Sequence, residues 1–158
     1  MALLQRRSVV TFLSLVASGV AAADSWEPPE ALRKAGEDLL ARWNALIQEG
    51  RFEEAYVDLA PATKVLVTVK QWADLQRAIR TQTGAAKGRA VRRVRWFDNP
   101  KEAKPPGVYL VAEYDCAYQW DAKRYEVVVL HQAPDAEFTV DRYQNRAIHN
   151  RSIWRVAG

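Results

Sequence analysis

The chain has 158 residues, 49% hydrophobic, 27% charged and 10% aromatic, with a formal net charge of +4. That length fits one domain with at most an appendage; the apolar fraction excludes a disordered chain, and seven Gly and seven Pro exclude a collagenous one. A single Cys excludes an intramolecular disulfide framework and any zinc site that needs two thiolates.

Residues 1–23 place Arg6 and Arg7 before a run of apolar and small residues that closes on Ala21, Ala22 and Ala23. This is the three-part pattern of a secretory signal peptide, with cleavage expected after Ala23 and a periplasmic or secreted product. The run falls short of the about 20 apolar residues that span a bilayer, so no transmembrane segment is expected after cleavage. Paired Arg weakly resembles a twin-arginine signal, but the general export route has the larger claim. Cleavage leaves 135 residues, with 21 basic and 19 acidic side chains, a net of +2. The charge argument for an acidic partner is therefore weak, and no nucleic acid is expected as a partner. The expected organisation is a signal peptide over 1–23, one domain over 24–146 and a tail over 147–158.

Three helices are predicted next. Pro28, Pro29 and Glu30 suit a first turn, and Leu32, Gly36, Leu39, Trp43 and Leu46 form one apolar stripe that ends at Gly50. A short helix follows from Arg51 to about Leu59, with Phe52, Ala55, Tyr56 and Leu59 on one face, stopped by Pro61. Thr68 and Gln71 form a capping box, with Val67 and Trp72 placed for a hydrophobic staple. Trp72, Leu75 and Ile79 are the expected buried face of this third helix, which Gly84 ends.

Beyond Gly84 the apolar period changes to two. Ala90, Val94 and Trp96 alternate with charges in a first strand, whose Lys87, Arg89, Arg93 and Arg95 are expected on one outer face, meeting Glu113, Asp115 or Glu126. In a long second strand, Val108, Leu110, Ala112, Tyr114, Cys116, Tyr118 and Trp120 share a face opposite Glu113, Asp115 and Gln119. A two-residue turn at Asp121 and Ala122 predicts a hairpin pairing Tyr118 with Tyr125, Cys116 with Val127, Tyr114 with Val129 and Ala112 with His131. A last strand points Phe138, Val140 and Arg142 inward. Helices followed by antiparallel strands read as α+β: N-terminal helices packed on a curved antiparallel β-sheet of about four strands.

The segments Gly50-Arg51-Phe52 with Ala55 and Tyr56, Val69-Lys70-Gln71-Trp72 with Arg77-Ala78-Ile79-Arg80, Gly107-Val108-Tyr109, Glu113-Tyr114, Glu126-Val127-Val128 and Phe138-Thr139-Val140 before Tyr143 carry a resemblance. The chain resembles the small secreted bacterial proteins grouped as domain of unknown function 4019, over about residues 30–146. It departs from that pattern at Phe138, where Trp is usual, and in the tail. The resemblance implies a cone-shaped fold like that of nuclear transport factor 2 and cystatin, and it implies no activity.

Tyr114, Tyr118, Tyr125, His131 and Arg142 are the candidate lining of a cavity in such a cone: aromatic walls, polar tips and one cation. No acid is expected inside, which argues against an isomerase or dehydratase. Cys116 reads as a small buried core residue rather than a nucleophile. His131 and His149 lack metal-ligand spacing, so neither metal nor cofactor is expected. The leading expectation is a non-catalytic envelope module that binds an unidentified small ligand or a protein partner. The alternatives are a small enzyme using His131 with a tyrosine, and a homodimer.

Overall fold

The computed structural model describes residues 26–121 and 123–147. The expected signal peptide, residues 148–158 of the expected tail, and Ala122 of the expected turn lie outside the described residues. Within them the order is α1 (Glu30–Glu49), α2 (Phe52–Tyr56), α3 (Pro61–Leu66), α4 (Val69–Thr83), then β1 (Ala86–Asp98), β2 (Val108–Tyr118), β3 (Arg124–Gln132) and β4 (Thr139–Ala147). The strands form one antiparallel sheet in sequence order, with the helices on one face, so the α+β expectation stands.

Local chemistry sets the helix boundaries. Glu30 begins α1 with its acid at the positive end of the helix dipole, and Gly50 closes it at φ +75°, a conformation costly for any residue with a Cβ. Gly36, Leu39, Leu40, Trp43, Leu46 and Ile47 are its buried stripe. In α4 the capping box is complete: the Thr68 Oγ1 accepts from the Gln71 amide at 3.3 Å, and the Thr68 amide donates to Gln71 Oε1 at 3.0 Å. Two helical expectations need correcting. Pro61 ends the α2 region but also starts α3, because its missing N–H is harmless at a first helical position. Leu75 is 56% exposed; the stripe of α4 that faces inward carries Trp72, Ala73, Gln76 and Thr83.

The core lies between α1, α2 and α4 and the inner sheet face. Trp43 is fully buried and meets Trp72 and Tyr143 at ring-centroid distances of 5.7 Å each. Leu110, Ala112, Val128, Leu130 and Val140 form the fully buried floor, and each large aliphatic there contributes about 2 kcal/mol by burial.

Register separates the structure from the expected hairpin. β2 and β3 pair Leu110 with Leu130, Ala112 with Val128, Tyr114 with Glu126 and Cys116 with Arg124, three residues from the expected pairing. An odd shift turns every β3 side chain to the opposite face. The connection spans residues 119–123 rather than two, with the Asp121 carboxylate accepting from the Lys123 amide at 3.3 Å and from Arg124 Nη1 at 2.9 Å. Irregularities at Lys87 and Arg92 in β1 and between Val129 and Leu130 against β4 reverse the alternation again. Val94 and Trp96 therefore share the inner face with Arg89, whereas Ala90, Arg93 and Arg95 lie outside; the four basic residues expected on one outer face do not share it.

Candidate functional site

The five expected cavity residues fall on two sides of the sheet. Tyr114 and Tyr118 lie inside, 3% and 6% exposed. Tyr125 and His131 are opposite Asp115 and Tyr109 on the outer face, and Arg142 is opposite Val129 there because of the β4 irregularity. Tyr125, His131 and Arg142 therefore cannot line a space under the helices.

A different group replaces them inside. Glu126, which the expected register placed outside, is fully buried in the middle of the inner face. The expectation of no internal acid is corrected. The neighbours of Glu126 satisfy it: Arg89 and Tyr118 donate to its two oxygens, and Asn145 Nδ2 donates at 3.2 Å. Asn145 also donates to the Tyr118 hydroxyl at 3.0 Å, and Arg124 donates to the Asn145 side-chain oxygen. From α1, Asn44 accepts from Arg89 and donates to the Tyr114 hydroxyl at 2.8 Å, and the Arg89 guanidinium lies 4.7 Å from the Tyr114 ring centroid.

The network keeps its thiol and phenols neutral. Burial pushes the Cys116 thiol up to about 12, with the Glu126 charge adding to the effect. Burial, then Glu126, also raises Tyr118 and Tyr143. For Arg89 burial is the largest influence and opposes the charge, but Glu126 together with Cys116, Tyr143 and Tyr118 outweighs it and the guanidinium is raised. A thiol held up in this way is a poor nucleophile.

There is little room for a ligand. The void beside this network, lined by Gln76, Arg80, Thr83, Tyr118, Tyr143 and Asn145 among others, measures about 10 Å³, the space of one water at most.

His131 serves the outer end of the sheet. Its ring lies 4.6 Å from that of Tyr109, and its Nε2 is 3.0 Å from the Pro106 carbonyl oxygen, while the Tyr109 hydroxyl donates to the Pro105 carbonyl. The pair clamps the loop before β2. Gly107 in that loop sits at φ +141°, and a Cβ there would collide with the Gln132 carbonyl oxygen.

The outer face reads in cross-strand rows. Phe97, Tyr109, His131 and Thr139 form one; Arg95, Val111, Val129 and Arg142 the next; then Arg93, Glu113, Val127 and Gln144; then Ala90, Asp115, Tyr125 and Arg146. Val111, Val127, Val129 and Tyr125 share the two central strands with Glu113 and Asp115, and arginines flank them on β1 and β4. Arg95 Nη2 donates to Glu113 at 2.8 Å, and Arg92 sits 3.6 Å from Asp115 and 5.5 Å from the Tyr125 ring centroid. Burial, then Glu113, pushes the Tyr125 hydroxyl up to about 12. At the β2–β3 turn end of this face, Gly88, Ala90 and Ala117 floor a shallow depression of about 460 Å³ edged by Asp115 and Lys123.

The outer patch was partly visible in the sequence, as arginines beside Glu113 and Asp115. The inner network was not, because it depends on pairing across 37 residues between Arg89 and Glu126. No helix among the described residues is long and apolar enough to cross a membrane.

No curated protein sequence matches the chain. One family model does, over residues 40–143, from the middle of α1 to the inner-face Tyr143 of β4. That match spans most of the folded unit, and the chain belongs to the family described as protein of unknown function DUF4019.

Proposed function

We propose that the protein is an exported, non-catalytic envelope module that binds an acidic protein surface through the outer face of its sheet. The observation that carries this reading is the contrast in space. Beside the inner network the void is about 10 Å³, whereas among the described residues no helix covers the outer face, which carries a depression of about 460 Å³. Val111, Val127, Val129 and Tyr125 supply apolar contact there, and arginines flank them. Arg92, Arg93, Arg95 and Arg142 stand against Glu113 and Asp115 on that face, with Asp141 near Tyr109 at its end. A face with that excess of positive charge repels its own copy, so charge complementarity favours an acidic partner over a homodimer. Catalysis by His131 with a tyrosine is not part of this reading, since the ring is engaged with Tyr109 and the Pro106 carbonyl. Export rests on the sequence of residues 1–23.

Two experiments test it. The intact mass of protein recovered from its own cells should correspond to a chain starting at Asp24. A photo-crosslinker at Val127 should capture one acidic envelope protein, and Arg93→Glu with Arg142→Glu should abolish that capture while leaving the circular dichroism unchanged. Capture of a second copy, or capture indifferent to the charge reversal, overturns the outer-face reading.

A further inference from the structure

The corner between α2 and α4 presents a second kind of surface. Val65 and Leu66, consecutive in α3, are 85% and 86% exposed, with Val57 at 68% before them and Val69 at 40% after them. No residue of α3 is buried. Isolated exposed aliphatics are ordinary, but four within thirteen residues around one tight corner form a projecting apolar ridge. The corner is firmly built: the Tyr56 hydroxyl donates to the Val67 carbonyl at 2.8 Å, and the capping box fixes the start of α4.

Around Val65 and Leu66 the local sequence carries charge of one sign. Residues 59–73 contain Lys64 and Lys70 and no Asp or Glu. The nearest carboxylates on either side, Asp58 and Asp74, are engaged by Arg42 and Lys70. Lys64 enters no ion pair among the described residues; it donates to the Val57 carbonyl at 2.6 Å and lies 5.9 Å from the Tyr56 ring centroid. Aliphatic tips ahead of a lysine on a short stem of helix match an interface whose outer layer is anionic and whose interior is apolar. We propose that the α3 corner is a membrane-surface docking site: Val65 and Leu66 enter the headgroup–acyl boundary of an anionic phospholipid bilayer, and Lys64 meets the phosphates.

The test places a polarity-sensitive fluorophore at residue 66, through Leu66→Cys, and at α1, through Lys34→Cys, in separate full-length chains. Buried Cys116, with its thiol pushed up to about 12, leaves the new cysteine as the reactive one. Vesicles containing phosphatidylglycerol should shift the emission of the residue-66 label to the blue and leave the residue-34 label unchanged. Reading the label rather than bulk binding separates this corner from any attachment through residues 1–23. The unlabelled pair Val65→Ser with Leu66→Ser, carried on a chain that starts at Asp24 if cleavage there is found, should lower the vesicle partition constant about tenfold. Phosphatidylcholine vesicles, or high salt, should weaken the shift. No shift with any vesicle, equal shifts at both positions, or a shift produced by envelope proteins but not by vesicles overturns the proposal.

Discussion

The sheet carries the same ion pair twice, once on each face. Arg89 and Glu126 lie inside, their side chains 8% and 0% exposed; Arg95 and Glu113 lie outside, at 38% and 10%. The inner pair is embedded in partners: Tyr118 and Asn145 donate to Glu126, and Asn44 accepts from Arg89. The outer pair has water on one side. Desolvation makes the difference: an exposed pair is a small term of either sign, whereas a buried one cannot lose a member without stranding a charge.

The largest expected effect follows from that asymmetry. Arg89→Met leaves Glu126 buried without its cation and should cost about 3–5 kcal/mol, read by urea denaturation. Removing both charges, with Arg89→Met and Glu126→Leu, should recover part of the loss. Recovery stops short because Tyr118, Asn145 and Asn44 then lose partners, each stranded group costing about 1–3 kcal/mol. A single variant that melts with the parent would break the comparison.

Alkaline pH sharpens it next. The Cys116 thiol ordinarily titrates near 9 and is held at about 12 in the fold. Above pH 9 the unfolded chain gives up this proton while the folded chain keeps it. The unfolded state therefore binds fewer protons, and stability falls as pH rises, by about 1.4 kcal/mol per pH unit for this one group until the folded thiol titrates. Tyr118 and Tyr143, also raised, add to the slope above pH 10. Urea midpoints measured from pH 8 to 11 should fall, and Cys116→Ala should delay the onset. A flat profile, or one unchanged in that variant, would remove the inner network as the source.

The helices were legible because their signals are local. Thr68 and Gln71 are three residues apart, and Gly50 marks its own boundary. The sheet was legible as strands but not as faces. In β3 both alternate sets, Tyr125, Val127, Val129 and His131 or Glu126, Val128 and Leu130, contain apolar side chains, so alternation alone does not choose. The choice falls to groups distant in sequence. Arg89 on β1 and Asn145 on β4 give Glu126 partners inside, while Tyr109 and the Pro106 carbonyl give His131 partners outside. Irregularities at Arg92 and at Asp141 change faces without any Gly or Pro to announce them. The expected five-residue lining failed for these reasons, and the same reversals assembled the inner network.

The smallest effect belongs to the outer pair. Arg95→Met deletes an ion pair of 2.8 Å whose arginine is 38% exposed and whose carboxylate is 10% exposed, a half-exposed pair worth about 0–1 kcal/mol. It also deletes a buried donor, since Arg95 Nε has no partner. Glu113 keeps the Tyr125 hydroxyl as a neighbour, and the methionine stem can retain apolar contact with Phe97, over whose ring the guanidinium sits at 5.6 Å. These terms oppose one another, and the net change should lie within about 0.5 kcal/mol and shrink further in high salt. A loss comparable to that of Arg89→Met would mean that the outer face is not open to water in solution, and would point directly to a partner or second copy covering it.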